Sequence, residues 1–182
     1  DDYFYPAISG VAQSHNYYPF SKMQPEDGIV TIAMGLGKMV VEGERTLRFS
    51  PKYPQILPQR SNLEDILDNA QQSFYALNLD ETCQYLGVND TSNLSKLDIF
   101  DIQDDSPVSH LASSYLPDQQ RLRDTMVKGG YPVLTFSRML KYNDPPLAPI
   151  LTEILELGKH GMGCPVAPEF SASIPNGHRA RP

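Results

Sequence analysis

Residues 8–48 read ISGVAQSHNYYPFSKMQPEDGIVTIAMGLGKMVVEGERTLR, and this stretch decides the fold. Ser9 to Gln13 carries β-favouring residues beside Gly10. A polar crossing follows with Pro19 and the turn Pro25-Glu26-Asp27-Gly28, and Ile29 to Ala33 is apolar and β-branched. Two strands joined by a polar loop are predicted. Gly35-Leu36-Gly37 breaks the second strand, and Lys38-Met39-Val40-Val41 opens a short helix whose first amides face the turn. Thr46 to Phe49 reads as a further strand, closed by the Ser-Pro, Tyr-Pro and Leu-Pro pairs through Pro58.

Outward from there, Ser61-Asn62-Leu63-Glu64 has the form of a capping box. Ile66, Leu67, Ala70, Phe74 and Leu77 follow on one helical face, so a long helix is predicted. From residue 80 to about 130 the chain turns polar and acidic and reads as insertion-like, with a further helix through Gln119, Arg121, Leu122, Met126 and Val127. Val133 to Leu140 reads as a strand after Gly129-Gly130-Tyr131-Pro132. Asn143-Asp144-Pro145-Pro146 then caps a second helix with Leu147, Ile150, Leu151, Ile154 and Leu155 at helical spacing and Gly158 as its stop. A late strand is placed around Val166 to Ala172. Strands and helices intermix without regular β-α-β alternation, so the expected class is α+β, a mixed or antiparallel sheet flanked by helices.

At 182 residues, 40% apolar and 20% charged, the chain buries one substantial core, and a single unit is expected over residues 1–182. Fifteen basic against twenty-two acidic residues give a formal charge of −7, which excludes a broad nucleic-acid-binding face. No apolar run reaches the roughly 20 residues of a bilayer span, so no membrane association is expected. Cys83 and Cys164 stand far apart without a ligand partner at metal spacing, and a cytoplasmic setting fits that usage. A chain that opens at Asp1-Asp2 and ends in His178-Arg179-Ala180-Arg181-Pro182 reads as a piece of something longer.

Few motifs carry chemistry. Gly35-Leu36-Gly37-Lys38 has the glycine amides and the lysine a polyphosphate needs. Met39 follows Lys38, however, so the P-loop spacing fails, and Val40 fills the third glycine slot of the dinucleotide fingerprint. Alone, it reads as a tight turn. Ser109-His110-Leu111-Ala112 lies in an acidic, proline-flanked region and reads as carrying an ordinary surface histidine. Asp98, Asp101, Asp104 and Asp105 lack the glycine and terminal glutamate of a calcium loop and read as a solvated face. The sequons at Asn89 and Asn93 read as chance matches. Glu169 differs, because it stands among apolar residues of a late strand. A carboxylate there meets a cation, a metal or donors, or else points to the wet side of its strand.

Three segments, in order, resemble the ATP-binding part of the phosphoenolpyruvate synthase and pyruvate phosphate dikinase family. They are Ile8-Ser9-Gly10-Val11 with Ser14-His15-Asn16, then Ile32 to Gly43, IAMGLGKMVVEG, then Pro165-Val166-Ala167-Pro168-Glu169-Phe170. Residues 1–58 and 138–182 make up the family-like part. The resemblance implies an ATP-grasp nucleotide-binding domain, of which this chain is the C-terminal part. It implies an ATP-dependent kinase-type transferase that phosphorylates a histidine on a swivelling domain and then converts pyruvate to phosphoenolpyruvate. It also implies ATP and Mg2+ as cofactors and, as partners, ATP and the swivelling and pyruvate-binding domains of a longer parent. Glu169 matches the family's magnesium-binding glutamate, Gly35 and Gly37 match its nucleotide-side turn, and Lys38, in that turn, is expected on the nucleotide with them. No catalytic residue falls within this chain, which by itself is expected to be inactive.

Departures from the pattern accompany the match. Lys38 replaces the usual glutamate after Gly-Leu-Gly, His15 stands where arginine is common, and Ala167-Pro168 replaces an acidic-then-aliphatic pair. Pro168 lacks an amide donor and favours an edge strand or a bulge. These departures suit a second reading, a degenerate, non-catalytic ATP-grasp-like regulatory or interaction module.

Overall fold

The structure, a computed structural model, describes residues 3–58, 60–79, 93–102 and 106–174. Cys83, the Asn89 sequon, Asp104, Asp105 and the terminal His178 to Pro182 lie outside the described residues. Among the described residues three antiparallel sheets carry the architecture, which is α+β. The largest has β2 (Ile8–Gln13), β3 (Ile29–Ala33), β4 (Leu47–Phe49) and β10 (Glu169–Ala172) in the order β10-β2-β3-β4. A second joins β1 (Tyr3–Phe4), β5 (Ser73–Asn78) and β6 (Leu94–Asp98), and a third joins β7 (Ala112–Leu116), β8 (Arg121–Arg123) and β9 (Tyr131–Leu134). Helices α1 (Lys38–Val41), α2 (Leu63–Asn69), α3 (Ser106–Leu111), α4 (Ser137–Tyr142) and α5 (Leu147–Met162) complete it.

One continuous core joins the sheets and helices. Phe49, Phe74 and Phe136 are fully buried in it with Ile8, Ile32, Met34 and Met139, each large side chain contributing roughly 1.5–3 kcal/mol of burial. Val108, Leu111 and Ala112 join that core from the stretch that read as insertion-like. Arg60 pins the loop after β4 to the end of β9 by donating to the carbonyls of Leu134 and Thr135, both at 2.9 Å. Burial lowers its guanidinium to about 10, still far above neutrality, so it remains charged.

The predicted strands at 9–13, 29–33 and 46–49 and the short helix after Gly37 stand within one residue of where the sequence places them. Four details differ. The first helix is capped by Asn62 rather than Ser61, Asn62 Oδ1 accepting from the Asp65 amide at 2.8 Å, and it ends at Asn69. Phe74 and Leu77 lie instead on β5, whose Phe74 and Ala76 are buried while Tyr75 alternates outward. Leu122 lies on β8, Met126 and Val127 follow it outside any helix, and the strand expected through Leu140 ends at Leu134 and gives way to α4. Helix α5 runs past Gly158 and stops at Gly163, which takes the left-handed cap at φ 67°. Gly158 serves packing instead: a Cβ there would stand 3.0 Å from Val166.

Candidate functional site

Period-2 alternation sorts β2 into two faces. Ile8 and Ala12 enter the core, while Val11 and Gln13 face outward. Strand β10 runs antiparallel to β2 with Phe170 opposite Gly10 and Glu169 opposite Val11. The missing side chain of Gly10 is what admits Phe170: a Cβ there would lie 2.7 Å from the ring Cζ and 2.6 Å from the Thr31 carbonyl. With Phe170 turned inward, alternation turns Glu169 outward, and it is exposed. The Ser-Gly-Val and Glu-Phe segments of the sequence are thus halves of one packing unit.

Ahead of β10, the ladder continues through irregular backbone. Ala12 donates to the Pro168 carbonyl at 3.0 Å. Ser14 donates its amide to the Val166 carbonyl, and its hydroxyl accepts from the Val166 amide, both at 2.9 Å. Pro168 thereby contributes the acceptor that it has and needs no donor, immediately before a strand at the sheet edge.

Across the face, β3 ends in a clamped turn. The buried Gln71 amide group accepts from the Met34 amide at 2.8 Å and donates to the Met34 carbonyl and the Ser73 carbonyl, both at 2.9 Å. Gly35 then adopts φ 85°, with its Cβ position only 2.7 Å from the Tyr75 carbonyl, so a side chain is excluded by conformation and by space. Leu36 donates to that same Tyr75 carbonyl at 2.9 Å. Gly37 has ordinary φ of −59°, and a Cβ there would meet only Ser9, at 3.9 Å. Gly35 is therefore a packing residue, and Gly37 opens space.

That space is one side of an open groove of about 510 Å³. Leu36 and Gly37 line it from the turn, Val11 from β2, and Glu169 and Ser171 from β10. Two of the four expected site residues, Gly37 and Glu169, share it. Gly35 and Lys38 do not line it. Gly35 is buried beneath the turn, and Lys38 Nζ lies 3.4 Å from Glu42 and 5.0 Å from the centre of the Tyr75 ring. His15, also a departure from the family pattern, packs edge-on to Tyr17 with ring centres 4.7 Å apart.

Lys38 belongs to a surface network that the sequence did not disclose, because it joins three segments, residues 38–44, β5 and β6. The Tyr75 hydroxyl donates toward Glu42 and Glu44 at 3.0 and 3.1 Å, and Lys96 reaches Glu44 at 2.6 Å while standing 5.3 Å from the ring centre. Burial, then the two acceptor carboxylates, push the Tyr75 phenol up to about 12. The Lys96 bond foremost holds Glu44 below the usual carboxylate range. Only the alternation of Ser73 to Asn78 could have pointed to Tyr75 as an outward-facing residue.

Among the described residues, no group of three His, Cys, Asp or Glu side chains gathers to hold a metal. A single exposed carboxylate on a groove fits Mg2+ of the kind that takes most of its ligands from phosphate and water, and does not fit an all-protein cage. Asp98 caps a turn through the Phe100 amide at 2.8 Å, and His110 closes α3 with Nδ1 3.3 Å from the adjacent Ser109 hydroxyl. Among the described residues no helix is long and apolar enough to cross a membrane. Comparison of the chain with protein families, characterised proteins and solved structures finds no match in any of the three.

Proposed function

We propose that this chain is the C-terminal part of an ATP-grasp nucleotide-binding unit in a phosphoenolpyruvate synthase-like phosphotransferase. The observation that supports the reading is the shared groove: the turn at Gly37 and the carboxylate of Glu169, far apart in sequence, line one open cleft on the sheet's outer face. Bound there, Mg2+ would neutralise charge on a triphosphate and orient it for transfer. Glu169 presents the ligand oxygen on a strand end, Gly37 leaves the turn backbone open to close approach, and Leu36 with Val40 supplies an apolar side to the cleft. Acceptor and clamp residues belong to other parts of the parent protein.

The test is made in the longer parent. Glu169→Gln is expected to abolish ATP-dependent histidine phosphorylation and phosphoenolpyruvate formation with an unchanged thermal melt; retained activity refutes the role. The present chain alone is expected to bind Mg-ATP weakly or not at all, and micromolar affinity by calorimetry would contradict its holding only part of the clamp. A second reading, a non-catalytic module, is favoured by one observation: Lys38 is held by Glu42 and Tyr75 outside the groove. A parent in which neither wild type nor Glu169→Gln turns over ATP selects it.

A further inference from the structure

The outer face of the four-stranded sheet continues beyond the Glu169 groove. A second groove of about 580 Å³ shares Val11 and Val40 with the first and is lined by Thr31, Arg45, Thr46 and Arg48. The ladder fixes how the two relate. Glu169 pairs with Val11, Val11 with Thr31, and Thr31 with Arg48, so all four stand in one cross-strand row. Glu169 and Arg48 sit at its ends, three strand spacings of about 4.8 Å or roughly 14 Å apart.

The side-chain directions follow from burial. On β4, Leu47 and Phe49 are buried and Arg48 between them is exposed, which turns its guanidinium-bearing side chain to the same outer face as Glu169. Arg45 is exposed just before the strand. One acid, Glu44, lines the second groove too, but its carboxylate is bonded to Lys96 at 2.6 and 2.8 Å and to Tyr75 at 3.1 Å. In a chain of net charge −7, two arginines beside two threonine hydroxyls make a local reversal of sign.

We propose that Arg45 and Arg48, with Thr31 and Thr46, form a phosphate-binding patch on this face, separate from the Glu169 groove. Guanidinium forks match phosphate oxygens two at a time, and the hydroxyls supply the remaining donors. A ligand engaging both ends of the row is a nucleoside polyphosphate. One engaging the arginines alone is free phosphate or pyrophosphate. The patch does not depend on the nucleotide reading of the first groove.

The test is an NMR titration of this chain with inorganic pyrophosphate in the absence of magnesium. Saturable amide shifts are expected at residues 45–48, weakened at least tenfold in R45A/R48A and partly restored in R45K/R48K. The charge-matched R121A/R123A, on β8, leaves them unchanged. Mg-ATP separates the sources: shifts running from 45–48 to Glu169 assign one polyphosphate along the row, and shifts confined to 45–48 assign a separate phosphate. Pyrophosphate shifts that fail to saturate, or that persist in R45A/R48A, overturn the patch, while a Glu169-dependent response to Mg-ATP would still sustain the nucleotide reading. A Mg-ATP response indifferent to Glu169→Gln, with the pyrophosphate response intact, sinks the nucleotide reading and leaves the patch standing.

Discussion

Phe170 lies where the side chain of Gly10 would be, its ring Cζ 2.7 Å from the missing Cβ. Gly10→Ala is therefore expected to destabilise the fold by about 1–3 kcal/mol through overpacking. Phe170→Ala alone should cost about 3–5 kcal/mol or somewhat less, the ring being only partly buried. In a double-mutant cycle by urea denaturation the two costs are expected to fall short of additivity, because the second change relieves the ring clash. Strict additivity would mean that the Thr31 carbonyl, not Phe170, sets the cost at Gly10.

Gln71 satisfies both backbone groups of Met34, a residue with no exposed surface. Gln71→Leu keeps the volume and strands both groups, at an expected cost of about 1–3 kcal/mol for each group left unpaired. Hydrogen exchange at the Met34 amide should accelerate more than at Val30, which the sheet holds independently. Equal acceleration at the two would indicate global destabilisation only.

The Tyr75 phenol is held neutral to about pH 12 by burial and by Glu42 and Glu44. In the folded state it keeps its proton where the unfolded chain, near 10, has lost it. Its stabilising contribution is thus fully present below pH 10 and is lost as pH rises through 12. The stability difference between wild type and Tyr75→Phe should shrink across that window, and phenolate absorbance should show a late-titrating component that Tyr75→Phe loses. Ionisation of all tyrosines near 10 would remove the basis for this.

Lys38 and Glu169 should separate cleanly in the longer parent. Lys38→Met breaks a half-exposed pair with Glu42, worth at most about 1 kcal/mol, and is expected to change Mg-ATP turnover less than tenfold. Glu169→Gln is expected to abolish it. A collapse in both variants would place the lysine on the nucleotide during turnover.

Glycine and proline punctuation made the central sheet legible, because Gly10, Gly28 and Gly35 sit where the backbone admits no alternative. Gly37 and Glu169 line one groove, a nearness that periodicity and spacing alone did not give. Stretches with two compatible periods were not legible either. Ile66 to Leu77 fits helical spacing, yet Ser73 to Asn78 also alternates, and pairing with β1 and β6 settles it as a strand. Arg121-Leu122-Arg123 is too short to declare a period, and β7 imposes one on it. Gly158 and Gly163 are equal in sequence as helix stops, and only the approach of Val166 assigns the first to packing. The side chain of Lys38 was beyond reach for a similar reason, since its partners Glu42 and Tyr75 come from different elements.

Strand β10 is the last in the order β10-β2-β3-β4, so among the described residues its ladder hydrogen bonds run to β2 alone. A carboxylate on an interior strand is lost only when the protein unfolds. One on a terminal strand can detach by a local opening while the core persists, at a free energy well below the global value. If Glu169 holds Mg2+ as proposed, its affinity carries a conformational factor, the fraction of molecules with β10 docked, and whatever pairs with the outer edge of β10 raises that fraction without touching the ion.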